Sequence, residues 1–223
     1  MCGRYFWKDE AEDAFLEDFP DLAGLVRRLR AGDYTPGMSA PALDAEIVGT
    51  AGYAGAVGVT GEAESAGDVE NARSGSGVRM EHLLWGFPGF DKGKLLINAR
   101  AESVKDRPTF ADSFAGRRCA LPAAGFYEWD KKKEKVIFTL PDSPILYLAG
   151  IFRPYGEEKR FVVLTREANA SMEPVHDRMP LILTGDEVLP WVSDAAKAGD
   201  ILTKELPMLK AERPYEQICF EFE

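Results

Sequence analysis

The sequence predicts a single α+β domain over residues 1–223, with a mainly antiparallel, barrel-like β core flanked by short helices. Three observations predict it. From residue 78 onward, short apolar stretches recur with turn signals between them, the pattern of a sheet closed into a barrel or sandwich. Residues 9–30 carry apolar side chains at helical spacing. Hydrophobic residues make up 45% of a 223-residue chain, enough for one sizeable core.

The elements follow in order. In residues 9–30, Phe15, Leu16, Phe19, Leu22, Leu25, Val26 and Leu29 line one helical face, and Pro20 divides the helix in two. Gly32 to Gly37 reads as a turn or loop. Residues 60–77, rich in Gly, Ser and acidic side chains and without an apolar period, read as a flexible surface insertion. Strands are expected at Val78–Phe87, Leu95–Asn98, Arg118–Leu121, Phe126–Trp129, Val136–Leu140, Ile145–Phe152, Phe161–Thr165 and Pro180–Thr184. Short helices are expected at 101–115, 167–174 and 185–198. Thr184 with Glu187 three residues on forms a capping-box pattern for the last.

Composition excludes several classes of function. The longest apolar runs fall far short of the roughly 20 residues of a membrane helix, and Lys8, Asp9 and Glu10 leave no signal-peptide segment, so a cytoplasmic protein is expected. Cys2, Cys119 and Cys219 are widely spaced, with only two histidines in the chain, a poor basis for a disulfide scaffold or a zinc cage. No metal or cofactor is expected. The formal charge of −10 argues against a general nucleic-acid coat. The charge is uneven, however. Residues 78–135 hold 12 basic and 8 acidic side chains, whereas residues 186–223 hold 4 basic and 9 acidic ones. A local cationic surface therefore remains open.

Candidate chemistry begins at Cys2. Its small side chain makes removal of Met1 by an aminopeptidase expected, which leaves an α-amine and a thiol on one residue. Both are partly nucleophilic near neutral pH, and together they close a thiazolidine ring on an aldehyde. A buried, incidental cysteine is the alternative. The start Met1, Cys2, Gly3 also occurs in N-terminal-nucleophile glutamine amidotransferases, but the accompanying Arg-Gly and Asn-Gly motifs are missing from the first hundred residues. If residues 126–129 are extended, Phe126 and Glu128 share one face and Tyr127 and Trp129 the other. A carboxylate beside a large aromatic is suited to acid–base work. A Glu128 facing water, or paired with Arg117 or Arg118, is the alternative. His176, between Pro174 and Pro180 and next to Asp177 and Arg178, is placed to be both fixed and exposed. His82, inside an apolar strand, reads as structural.

In this order, these segments resemble the SOS-response-associated peptidase family, proteins that shield abasic sites in single-stranded DNA. The resemblance is carried by the run from Met1 to Arg4, Trp85 to Phe87, Asn98 to Glu102, Arg118 to Trp129, Ala149 to Ile151, Leu164 with Thr165, and His176 to Pro180. It implies a self-processing, peptidase-type and lyase-like protein that exposes Cys2 and crosslinks it to the ring-opened aldehyde of an abasic site. By the same carry-over, Glu128 would move protons, His176 would assist opening of the sugar, and Asn98 would hold the α-amine or the sugar oxygen. Arg4 and Arg100 would grip phosphates, Trp85 would stack a base, and Thr165 would be a further DNA contact. Partners would be single-stranded DNA with abasic sites and no membrane, for a monomer in the cytoplasm that joins the nucleoid on DNA. Where many members have an Asn-x-Ala-Pro loop, this chain has Tyr34 to Gly37. Two other readings stand beside it, a non-covalent reader of modified or damaged bases and a thiol protease acting on other proteins.

Overall fold

The computed structural model describes residues 2–45, 77–89, 91 and 93–214. The expected insertion at 60–77 lies, but for Gly77, outside the described residues, as does Cys219. In chain order the strands begin with β1 Tyr5–Trp7, β2 Gly32–Tyr34, β3 Ser39–Ala45, β4 Val78–Trp85 and β5 Phe87–Pro88. β6 Leu95–Leu96, β7 Asn98–Arg100, β8 Arg118–Ala123, β9 Gly125–Trp129 and β10 Lys135–Thr139 follow. β11 Leu146–Tyr155, β12 Glu158–Glu167, β13 Arg178–Pro180, β14 Ile182–Leu183 and β15 Lys210–Glu212 complete them. The α-helices are α1 Glu12–Asp18, α2 Ala111–Gly116, α3 Gly185–Ser193 and α4 Ala195–Ile201.

Five strands close on themselves as a barrel in the order β12, β4, β3, β8, β11 and back to β12. Closure removes the free edges that such a sheet would otherwise expose. Pairing is antiparallel except where β12 meets β4 and β7 in parallel. A second, antiparallel sheet runs β15, β10, β9, β1, β2. The mainly antiparallel, barrel-like α+β expectation therefore holds. Among the described residues no helix is long and apolar enough to cross a membrane.

The barrel is filled from distant parts of the chain. Trp85 stacks on Phe161 at 5.7 Å between ring centres and packs against Tyr5 at 5.3 Å. β8 and β11 approach so closely that a Cβ on Gly150 would lie 2.9 Å from the Cys119 sulfur. Gly86, at φ +110, ends β4 and splits the apolar run expected as one strand.

Local chemistry accounts for the other departures. Residues 20–28 form a 3-10 helix after the break at Pro20. Gly32 to Tyr34, expected as a turn, is extended because it pairs with β1. Within 101–115, Pro108 excludes a continuous helix, leaving a 3-10 turn at Ala101–Ser103 and then α2. Of residues 167–174, expected as a helix, Glu167 ends β12 and the rest form loop and turns: the Asn169 carboxamide oxygen accepts from the Ser171 amide and hydroxyl, and its nitrogen donates to the Leu206 and Pro207 carbonyls. The Thr184 capping box opens α3 as expected, but the helix stops at Ser193, and Asp194 caps α4 by accepting from the amides of Ala196 and Lys197. His82, expected as structural, is exposed on β4.

Arg118 joins both helical layers to the barrel. Its buried guanidinium donates to the carbonyls of Phe114 and Ala115 at the end of α2 and to Trp191 and Val192 in α3, at 2.6 to 3.3 Å. Arg118→Ala strands those carbonyls, so a loss of about 3 kcal/mol is expected, read as a drop of roughly 6–12 °C in Tm by calorimetry. An unchanged Tm would contradict this account.

Candidate functional site

The β1–β9 pairing builds the site. Tyr5 lies opposite Phe126 and Phe6 opposite Gly125, and the Tyr127 amide donates to the Arg4 carbonyl at 2.9 Å. The segment before β1 is thereby laid along the part of β9 that carries Glu128 and Trp129. Alternation along β9 sends Phe126 and Glu128 inward, with Glu128 only 4% exposed, and leaves Trp129 outside. Glu128 therefore does not face water. Arg118 uses its donors on helix carbonyls, and the Arg117 Nε donates to Phe152.

Cys2 is fully buried, and its thiol donates weakly to the Arg4 carbonyl at 3.9 Å. Burial, followed by the charge of Glu128, pushes the thiol up from 9.0 to about 12. Asn98, brought in by the parallel pairing of β7 with β12, donates from Nδ2 to the Cys2 carbonyl at 3.0 Å. Its Oδ1 is buried, and no described residue donates to it. An acceptor left empty in such a place costs about 1–3 kcal/mol, so it marks a spot where an N–H donor fits.

The sign of the Cys2 shift yields a test. Burial favours the neutral thiol in the folded protein, so the group leaves stability unchanged below pH 9 and lowers it as pH climbs from 9 toward 12. Protein that retains Met1 is expected to resist iodoacetamide at Cys2 at pH 8, read by peptide mass mapping, and to be labelled there once denatured. Rapid labelling of the folded form would contradict the buried thiol.

His176 lies in the loop before β13, with its side chain 26% exposed. The Arg178 amide donates to its Nδ1 at 2.9 Å, and an Asp177 carboxylate oxygen lies equally near the same nitrogen. One contact needs a lone pair there and the other a proton. The main-chain donor is fixed, whereas the Asp177 side chain is 88% exposed and can turn away. Arg178 anchors the loop through two 2.8 Å bonds to Glu102 and a 2.6 Å bond to the Thr165 carbonyl.

The expected DNA contacts divide. Arg100 is exposed at the end of β7. Arg4 is 39% exposed, 3.5 Å from Asp33, with its guanidinium 5.5 Å from the centre of the Trp129 ring. Two expectations are corrected. Trp85 is fully enclosed by Tyr5 and Phe161 and donates from Nε1 to the Ile97 carbonyl at 3.0 Å, so neither ring face is open to a base. Thr165 is equally buried, with its hydroxyl directed at the Ala99 carbonyl. Sequence reasoning passed over Trp129, which is 38% exposed beside Arg4. The alternation that paired Glu128 with Phe126 on one face already put Trp129 on the other. Next to it opens a groove of about 1560 Å³, lined in part by Lys133, Lys135, Pro174, Val175 and Arg213.

Among the described residues no group of three or more His, Cys, Asp or Glu side chains could hold a metal ion.

Comparison with known proteins adds to this geometry. The profile of the family described as SOS response associated peptidase (SRAP) matches residues 1–217. Abasic site processing protein YobE of Bacillus subtilis is 32% identical, over 91% of this chain and 86% of its own length. Abasic site processing protein YoqW of the same organism is 27% identical over 95% and 89%. For abasic site processing protein YoaM, also from Bacillus subtilis, the 32% identity spans 57% of this chain and 63% of that protein, less than two thirds of it. Two crystal structures of Bordetella bronchiseptica proteins share the fold, with TM-scores of 0.67 and 0.66 at 19% and 22% identity. The first alignment covers 96% of this chain and all of that one, the second 96% and 94%.

Proposed function

The chain belongs to the SOS response associated peptidase family, and from that premise we propose that it senses abasic sites in single-stranded DNA and shields them by a thiazolidine crosslink through Cys2. Relatives over most of its length are named abasic site processing proteins, which supports the substrate class. The observation that carries the chemistry is the hold of Asn98 on Cys2. One end of the carboxamide binds the Cys2 carbonyl, while the buried Oδ1 is left to accept from an amine on the same residue.

In this reaction the Met1–Cys2 peptide bond is hydrolysed first, which frees the Cys2 α-amine. His176 assists opening of the deoxyribose to its C1′ aldehyde. The amine nitrogen attacks C1′, water leaves, and an imine forms. The Cys2 sulfur then adds to the imine carbon as the thiol proton passes to nitrogen, closing the five-membered ring. Glu128 carries protons in these steps, and its burial keeps water from competing for them. Before Met1 departs, burial and Glu128 hold the thiol neutral. A cationic amine on Cys2 itself acts the other way, because positive charge favours thiolate. The site is thus quiet until it is processed.

Arg4 and Arg100 grip flanking phosphates, and Trp129, in place of the enclosed Trp85, offers the ring on which a neighbouring base stacks, worth about 1–3 kcal/mol. Recognition rests on the aldehyde, so base edges need no reading. The test is capture of an abasic oligonucleotide as a heat-stable adduct by protein whose intact mass lacks Met1.

A further inference from the structure

The turn after the Glu128 strand carries a charge pattern that the proposed chemistry does not use. Lys131, Lys132, Lys133 and Lys135 are all exposed there, and among the described residues none of them makes an ion pair. The turn is well built. Asp130 accepts the amides of Lys132 and Glu134 at 2.8 and 3.0 Å, and Lys133 takes φ +65. Its two carboxylates, Asp130 and Glu134, are both engaged by Arg213, at 2.8 and 3.0 Å. The turn and Arg213 together therefore carry five positive and two negative charges, a net of +3, in a chain whose formal charge is −10.

Position supplies the second half of the argument. Lys133 and Lys135 line the groove that begins at Trp129, together with Arg213, Glu134 and Glu212, and Pro174 and Val175, the residues just before His176, line it too. Lys135 also lies over the outer face of Tyr127, 4.9 Å from the ring centre, so its ammonium is held on the sheet surface.

We propose that this lysine turn and the groove beside it form a second nucleic-acid subsite, which takes the sugar–phosphate backbone of the strand flanking the lesion, beyond Trp129. It rests on the proposed function for the identity of the strand. The partner is a polyanion read by charge, with no base readout. The subsite steers flanking DNA toward Cys2 and contributes most at low salt.

The test uses the full chain and the triple variant K131Q/K132Q/K133Q. Adduct formation is followed under subsaturating conditions with a single-stranded 20-mer carrying one central abasic site and with an abasic trinucleotide. On the 20-mer the variant is expected to capture about 20-fold more slowly at 50 mM salt and nearly equally at 200 mM, because losing three phosphate contacts lowers the log–log salt slope by about 2. The trinucleotide, too short to reach the turn, is captured at the wild-type rate. A wild-type slope on the 20-mer, or equal loss on both substrates, would overturn the subsite. Anisotropy of an undamaged 20-mer reads the same slope without chemistry. If wild-type protein captures neither abasic substrate, the crosslinking proposal has failed, and the anisotropy slope alone then decides the subsite.

Discussion

Cys2→Ala is expected to abolish heat-stable capture of abasic single-stranded DNA altogether. The crosslink needs an amine and a thiol on one residue, and alanine supplies only the amine. An imine alone reverts with water when heated, so no adduct survives denaturing electrophoresis. The substitution removes one buried sulfur next to Asn98 and Glu128, at a cost of only about 1 kcal/mol, so the folded state survives to be tested. Anisotropy on undamaged single strands should be unaltered, weak and salt-sensitive in both proteins. Adduct formation undiminished in the variant would sink the mechanism, and unchanged affinity for lesion-bearing DNA with no adduct in either protein would leave a non-covalent reader.

The second large effect is expected from Glu128→Gln. Glutamine keeps the shape of a side chain that is 4% exposed and removes only its ability to exchange a proton. Loss of a positioned general acid–base lowers a rate by about 10²–10⁴-fold, so adduct formation should slow by that order while DNA binding stays as it was. Intact-mass measurement on the same sample reports whether Met1 removal slows with it. Adduct formation at the wild-type rate would make Glu128 a structural carboxylate. Binding and crosslinking lost together would point to a collapsed site and not to missing proton transfer.

Much of this was legible in the chain because it depends on local pattern. Alternation over residues 126–129 was enough to set Glu128 and Trp129 on opposite faces, since side chains on a strand change face at every residue, but it left open which face lies inward. The Thr184 capping box was legible for the same reason, because both of its bonds lie within one helical turn. The break at Pro20 followed from the missing N–H of proline. Other features needed partners from far away. Gly32 to Tyr34 looks like a turn by composition and becomes a strand only because β1 lies alongside. Trp85 sits in a short Trp-Gly pair, yet its exposure is decided by Tyr5 and Phe161, which lie 80 and 76 positions away.

By itself the sequence determined the α+β barrel class, the residue types able to trap an aldehyde, and the cationic bias of residues 78–135 within a chain of charge −10. Apolar period, reactive groups and charge are properties of residues and their spacing, so they survive without coordinates. Only the tertiary structure decided that Asn98 holds the Cys2 carbonyl across 96 residues, that the thiol is driven up to about 12, and that Trp129, not Trp85, shows its ring to solvent. Those outcomes depend on which side chains the closed barrel brings within hydrogen-bond reach and which it shuts away from water. Barrel closure joins β12 to β4, where Phe161 pairs with Trp85 from 76 positions away, a contact that no local spacing encodes.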